Sequence, residues 1–297
     1  VSPLGQGGFG FVSRVANRNL PEDAAHIALK LIKVRQHDDE EAALEEIDRT
    51  SREMSHHQRA AASSPYVVDM LTWGQIDDEF FFVAMELCEG GDVEKLLNEQ
   101  PGRGLEAELL WRFYEQVTQG VQAIHEADLI HLDLKPANCA YYRSPSRSLP
   151  RLTRAPSSRA VLLAIVDGSL EVRIADLGLA RLVQAGDGTM TQTHGGGTRG
   201  YMAPEVLSGR FGPKADMYSL GVSMFDMALG RKEGSPPTFP DFEAEDPCTP
   251  LRPSAGGSEE AAKTYELLVF ALHLRSAHRP SADELLAKIR ALTASRS

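Results

Sequence analysis

The stretch Leu129-Ile130-His131-Leu132-Asp133-Leu134-Lys135-Pro136-Ala137-Asn138 constrains this chain more than any other, because it sets a carboxylate, an amine and a carboxamide at fixed offsets. An aspartate there can take the proton of an incoming hydroxyl. A lysine two positions on can neutralise a transferring phosphate, and an asparagine further along can hold Mg2+. The segment reads as a kit for phosphoryl transfer, and the rest of the chain has to bring a phosphate donor to it.

Composition sets outer bounds. The chain has 297 residues, 42% of them hydrophobic, enough to bury a core in one large or two small lobes. A formal net charge of -11 argues against a nucleic-acid surface, which needs clustered Lys and Arg. Cys88, Cys139 and Cys248 lie far apart with no CxxC, so neither a zinc site nor a disulfide framework is indicated. A reducing compartment, by default the cytoplasm, follows. No run of about 18 apolar residues encodes a membrane span. The chain opens directly on a motif without a signal-peptide pattern, which reads as an excised domain.

Along the chain two halves differ in character. Residues 1–88 alternate as strands in Phe9-Gly10-Phe11-Val12-Ser13-Arg14-Val15, in Ile27-Ala28-Leu29-Lys30-Leu31-Ile32 and in Glu79-Phe80-Phe81-Phe82-Val83-Ala84-Met85, with one helix expected from Asp39 to Arg59. Residues 89–297 turn helical, starting with Asp92 to Asn98 and Glu106 to Asp128. Two stretches resist both patterns and read as loops: an arginine-rich insert at 143–160 and a Pro-, Gly- and acid-rich segment at 234–257.

Gly5-Gln6-Gly7-Gly8-Phe9-Gly10-Phe11-Val12 has the form G-x-G-x-x-G-x-V. Such glycines serve plain turns and dinucleotide folds as well, but a dinucleotide fold needs a strand before them and a helix after. Here only four residues precede Gly5 and a strand pattern follows Gly10. A hairpin whose backbone amides approach phosphates fits better.

Further segments complete a pattern that resembles the eukaryotic-type protein kinase domain, Ser/Thr class. They are Ile27-Ala28-Leu29-Lys30, the lobe junction from Phe82 to Asp92, Asp176-Leu177-Gly178, the run from Gly197 to Glu205, Asp216-Met217-Tyr218-Ser219-Leu220-Gly221, and His278-Arg279-Pro280-Ser281. The resemblance spans nearly the whole chain and implies an α+β, two-lobed protein-kinase-like fold, with a small β-rich N-lobe carrying one main helix and a larger helical C-lobe. It implies ATP and Mg2+ as cofactors and a protein substrate with a Ser/Thr acceptor. Asp133 would be the base, Lys135 and Thr198 its catalytic partners, and Asn138 and Asp176 the metal ligands. Leu4, Gly5, Gln6, Gly7, Gly10, Val12 and Ala28 would enclose the nucleotide. Lys30 would hold its phosphates while pairing with Glu53, or with Glu46 as second choice. Met85 would be the gatekeeper, with backbone groups of Glu86 and Cys88 on the adenine edge and Asp92 on the ribose or a basic substrate side chain. Glu205 would pair with Arg279, and Asp216 would brace the catalytic loop. Lys135 with Thr198 points to serine or threonine rather than tyrosine. Small-molecule phosphotransferases share H-x-D-x-x-x-x-N but lack the Ala203-Pro204-Glu205 element and its distant arginine.

Departures matter as much as matches. Leu132 stands where the family usually has an arginine that meets a phosphorylated activation loop. Thr189, Thr191 and Thr193 lie in that loop with Arg181 nearby, so activity is expected not to depend on their phosphorylation through this pocket. His57 follows Glu53 by four, where the family has an apolar residue. His56-His57 read as a solvated pair rather than metal ligands, because adjacent helix residues point apart. The insert reads as a solvated loop, with a docking site for a partner at 143–159 as the alternative. Retention of every charged catalytic group favours an enzyme. The other class is a pseudokinase acting as a nucleotide-binding scaffold or allosteric interaction module.

Overall fold

Strand β3 (His26–Lys33) buries Ala28 and Lys30, two positions apart, as the strand period requires. It lies at the centre of a five-stranded antiparallel sheet with β1 (Ser2–Gly7), β2 (Gly10–Ala16), β4 (Met70–Gln75) and β5 (Phe80–Met85), in the order β1-β2-β3-β5-β4. Phe81, Val83 and Ala84 of β5 turn inward, and the Phe81 ring packs 6.3 Å from that of Trp73. Helix α1 (Glu40–Ser63) packs against this sheet. It outruns the expected end at Arg59 because Ala60-Ala61-Ala62 continue its helix-forming composition, and it stops just before Pro65, which disfavours the α region for Ser64. The computed structural model describes residues 2–7, 10–16, 26–33, 40–77, 79–88, 90–99, 103–143, 170–177, 180–183, 190–191, 197–230, 240, 247–254 and 256–294. The docking arginines Arg147, Arg151, Arg154 and Arg159, the glycine-loop residues 8 and 9, and Thr189 and Thr193 lie outside these residues.

The C-terminal part is helical: α2 (Val93–Asn98), α3 (Ala107–Glu126), α4 (Pro204–Leu207), α5 (Lys214–Leu229), α6 (Glu259–Ala271) and α7 (Ala282–Ala294). Helix α3 buries Leu110, Phe113, Tyr114, Val117, Val121 and Ile124, spaced three and four apart. In α5 every residue from Ala215 to Met227 is buried, the mark of a helix wrapped by protein on all sides. It ends at Gly230, whose φ of 72° and approach to the Arg103 carbonyl leave no room for a side chain.

Short strands place the chemistry. β7 (Leu129–Ile130) enters the 131–138 segment, which ends in a 3-10 turn at Pro136–Asn138 and leads into β8 (Cys139–Arg143). β8 pairs antiparallel with β9 (Leu170–Ile174), Cys139 facing Ile174, and β6 (Gly91–Asp92) completes that sheet. Asn138 just before β8 thereby meets residues 175–176 just after β9, and the Ala175 amide donates to the Asn138 carbonyl at 2.8 Å. β10 (Arg181–Leu182) returns to pair with β7, and β11 (Met190–Thr191) pairs with β12 (Arg210–Phe211).

Candidate active site

The Asp133 carboxylate is the hub. Its Oδ1 accepts from the Thr198 amide at 2.9 Å and the Thr198 hydroxyl at 2.7 Å. Its Oδ2 accepts from Lys135 Nζ at 2.7 Å and Asn138 Nδ2 at 2.9 Å. Lys135 also donates to Thr198 Oγ1 at 2.6 Å. Four donors match the roughly four lone-pair directions of a carboxylate, so the group is held in one orientation, and an incoming hydroxyl has to replace one of them. Asp133, Lys135, Asn138 and Thr198 are thus brought together in one hydrogen-bonded cluster.

Beneath the hub lies Asp216, with no exposure to solvent. It accepts from the His131 amide at 2.7 Å, the Leu132 amide at 2.9 Å and His125 Nε2 at 2.9 Å. Burial alone would raise its pKa. The hydrogen bond and charge of His125, the charge of His131 and the His131 amide outweigh this and hold it below its ordinary value. The two amide bonds fix a kink in which Leu132 has φ 67°, an unfavourable conformation for a bulky side chain. Gly197 packs against the carbonyl of that residue at a φ of 128°, where a Cβ would lie 2.6 Å away. His131 is fully buried, its Nε2 3.1 Å from the Ala175 carbonyl. His125 went unnoticed in the sequence. Its only signal is its place near the end of α3, four residues before Leu129.

Lys30 departs from expectation. Its Nζ meets Asp176 Oδ1 at 2.5 Å rather than Glu53. Glu53, also buried, reaches Arg181 Nη1 at 3.4 Å across α1 and β10. The rotation of α1 over the sheet decides this choice, since Glu53 faces the segment after Asp176 instead of β3. The side chain of Glu46 lies outside the described residues. Arg181 is engaged by Glu53 and by the Ala180 carbonyl at 2.9 Å.

The expectation of a solvated His56-His57 pair also fails. His57 is buried and lines a small cavity with Lys30, Ile32, Met54, Val83, Met85, Asp176 and Leu177. His56 is half-buried, with Nδ1 2.7 Å from the Ala127 carbonyl. Residue 57 shares the inward face of α1 with Glu53, one turn earlier. Burial, then the charges of Lys30 and His131, push the His57 pKa down to about 3 against an opposing pull from Asp176. Its neutral form belongs to the fold, so stability is complete above the unfolded pKa of about 6.5 and falls as pH drops from there towards 3. His57→Leu removes that term. In metal-free denaturant titrations the stability difference between wild type and variant should shift by roughly 1 kcal/mol in the variant's favour between pH 7.5 and 5.5. An unchanged difference would contradict a neutral buried His57.

At the strand-to-coil junction Met85 ends β5 beside this cavity. The Glu86 amide donates to the Asp69 carbonyl at 3.0 Å, so of its backbone groups the carbonyl remains to meet a ligand edge. Burial, then the charge of Glu86, pushes the Cys88 thiol up to about 12, against the pull of Arg173, so it stays protonated and unreactive. Asp92 has other duties: its Oδ1 caps α2 by accepting from the Lys95 amide at 2.9 Å, and its Oδ2 pairs with Lys95 Nζ at 2.9 Å. A ribose or substrate contact would compete with both. In the glycine hairpin β1 and β2 pair Gly5 with Val12, Gln6 with Phe11 and Gly7 with Gly10; β2 continues as a strand, against a dinucleotide fold. Ala28 is buried on β3 opposite Arg14, two positions from Lys30, which faces Val12, and Leu4 lies on β1.

The donor chemistry fits Mg2+. Asn138 uses its Nδ2 on the Asp133 carbonyl at 2.8 Å and on Oδ2, which leaves its side-chain oxygen as acceptor, and the Asp176 carboxylate is 45% exposed. Two hard oxygens suit a cation that keeps waters and takes phosphate oxygens. Among the described residues no group of three or more His, Cys, Asp or Glu is placed to hold a metal unaided.

Across the C-terminal part, Arg279 meets Glu205 in a two-pronged ion pair, Nη2 to Oε2 at 2.9 Å and Nη1 to Oε1. The family model of the protein kinase domain matches residues 1–288, and the chain belongs to the protein kinase family. It is 29% identical over 236 residues to the mitosis inhibitor protein kinase mik1 of Schizosaccharomyces pombe, covering 77% of this chain and 33% of that protein. With the serine/threonine-protein kinase pkn3 of Myxococcus xanthus it shares 27% over 294 residues, 95% of this chain and 47% of the relative. With mouse Nek4, another serine/threonine-protein kinase, it shares 26% over 226 residues, 76% and 24% respectively. The chain thus spans less than half the length of each of these three relatives. Among the described residues no helix is long and apolar enough to cross a membrane.

Proposed function

We propose that the chain is an active serine/threonine protein kinase, taking the γ-phosphoryl group of ATP and passing it to serine or threonine hydroxyls of protein substrates. The observation that carries this is the Asp133 carboxylate, held by Lys135, Asn138 and Thr198 with Asp176 and Lys30 across from it. The nucleotide belongs between an N-lobe of residues 1–88 and a C-lobe of 89–297, under the β1–β2 hairpin and against Glu86 and Cys88. Asp133 accepts the substrate hydroxyl proton as the oxygen attacks the γ-phosphorus, and the bond from that phosphorus to the β–γ bridging oxygen breaks, with ADP as the leaving group. Lys135 and Lys30 balance negative charge on the transferring and remaining phosphates. Asn138 and Asp176 would hold Mg2+, which when bound neutralises phosphate charge. Lys135 with Thr198 supports serine and threonine as acceptors, as do the names of pkn3 and Nek4. The test is transfer from labelled ATP to a generic protein substrate followed by phosphoamino-acid identification; label found on tyrosine alone would contradict the acceptor class.

One observation favours a scaffold instead: Lys30 and Asp176 satisfy each other while Glu53 is held by Arg181. A nucleotide-binding protein without transfer would keep that arrangement when loaded. The same pairing bears on Leu132, which offers no cation to a phosphorylated loop. Phosphatase treatment, or joint replacement of Thr189, Thr191 and Thr193 by alanine, should therefore leave activity within about tenfold of the starting enzyme, roughly 1.4 kcal/mol of barrier. A larger loss would mean that the loop is switched by phosphate through other groups.

A further inference from the structure

Arg173 lies on β9, three residues before Asp176, and reaches across to the chain segment that leaves β5. Its Nη1 donates to Glu86 Oε1. The same carboxylate oxygen accepts from the Asp69 amide at 2.8 Å, while the Glu86 amide returns a bond to the Asp69 carbonyl at 3.0 Å. Both partners are largely withdrawn from water, with side-chain exposures of 14% and 26%. Charge-assisted bonds in such surroundings are stronger and more directional than surface pairs.

The backbone around Arg173 is equally tied. The Ile174 amide donates to the Tyr66 carbonyl at 2.8 Å, the Val68 amide to the Ile174 carbonyl at 2.9 Å, and the Ala175 amide to the Asn138 carbonyl at 2.8 Å. Each residue from 173 to 175 is therefore anchored, and Asp176 follows directly. One end of this rigid run grips Glu86, whose carbonyl faces the proposed adenine edge. The other end leads into Asp176 and is tied through the Ala175 amide to Asn138, so both proposed metal ligands are fixed to it.

We propose that Arg173 is a positioning residue for the nucleotide: its ion pair with Glu86 sets the separation between the adenine-reading carbonyl and the Asp176–Asn138 pair. The proposal rests on the nucleotide-site assignment above. Two half-sites held at the right span bind a two-ended ligand far better than either half alone, because the second contact becomes intramolecular. Loss of the clamp damages that coupling while leaving each half-site intact.

The experiment measures affinities of adenosine, Mg·tripolyphosphate and Mg·ATP, together with kcat and KM for ATP, in wild type, Arg173→Lys, Arg173→Met and the charge-exchanged double variant Arg173→Glu with Glu86→Arg. Arg173→Met should weaken Mg·ATP binding and raise its KM about tenfold, with adenosine and tripolyphosphate changed less than about twofold, and both Arg173→Lys and the exchanged pair should recover most of the loss. Unchanged Mg·ATP affinity in Arg173→Met, or an equal loss for adenosine alone, overturns the proposal, the latter because it marks local damage to the hinge. A wild-type protein that binds no Mg·ATP overturns the nucleotide site itself.

Discussion

Replacing Arg279 by alanine is expected to lower the unfolding free energy by about 3–5 kcal/mol, the range for removing one partner of a buried ion pair. The guanidinium is fully buried. Besides Glu205 it serves the carbonyls of Lys214 at 2.9 Å, His273 at 2.7 Å and Leu274 at 2.6 Å, and it stacks 4.9 Å from the centre of the Tyr218 ring. Truncation leaves a carboxylate and three carbonyls without their donor, which costs more than the pair contributes net. Arg279→Lys should recover only part, because an ammonium cannot present the same planar fork to a carboxylate and several carbonyls. Urea titration of the three proteins checks this; a loss below about 1 kcal/mol for alanine would show that Glu205 and the carbonyls find water instead.

Asp133→Asn is expected to reduce kcat by about 10²–10⁴, the span of a positioned general base. The KM for ATP should hardly move, since the Asp133 carboxylate bonds to Lys135, Asn138 and Thr198 and not to Lys30 or Glu86. The amide also turns an NH2 towards groups that are themselves donors, so a local loss of stability accompanies the change. Steady-state kinetics with ATP varied at saturating protein substrate separates the two effects. A parallel rise in KM for ATP would show that the damage extends beyond the base.

Much of the site was legible because its chemistry is written at short, fixed offsets. Asp133, Lys135 and Asn138 share one loop, and their mutual bonds follow from that loop closing in a 3-10 turn. Glu205 with Arg279, and Thr198 with Asp133, were readable only through resemblance, for they span 74 and 65 positions. Illegible were the choices between alternative partners. Lys30 had Glu53, Glu46 and Asp176 within plausible reach, and the azimuth of α1 decided among them. That azimuth is a tertiary quantity, set by how Met54, Ala60 and Ala61 pack, and a helical period cannot supply it. His57 was misjudged for a different reason: its polarity suggested solvent, although its spacing from Glu53 already put it on the inward face. Asp92 likewise carried the signature of a helix cap, an Asp directly before Val93, which a functional reading of the junction obscured. The Arg173–Glu86 clamp left no trace, since it joins two unremarkable charged residues 87 positions apart.

On the proposed reading, this site moves phosphoryl groups rather than merely holding nucleotide. The most direct measurement is label transfer from γ-labelled ATP to a protein substrate, for wild type and Asp133→Asn, each with Mg2+ and with excess chelator. Transfer by wild type with Mg2+, falling at least about a hundredfold in the variant and on chelation, is the predicted result. Equal signals from wild type and Asp133→Asn, or none from either while Mg·ATP still binds, would contradict it.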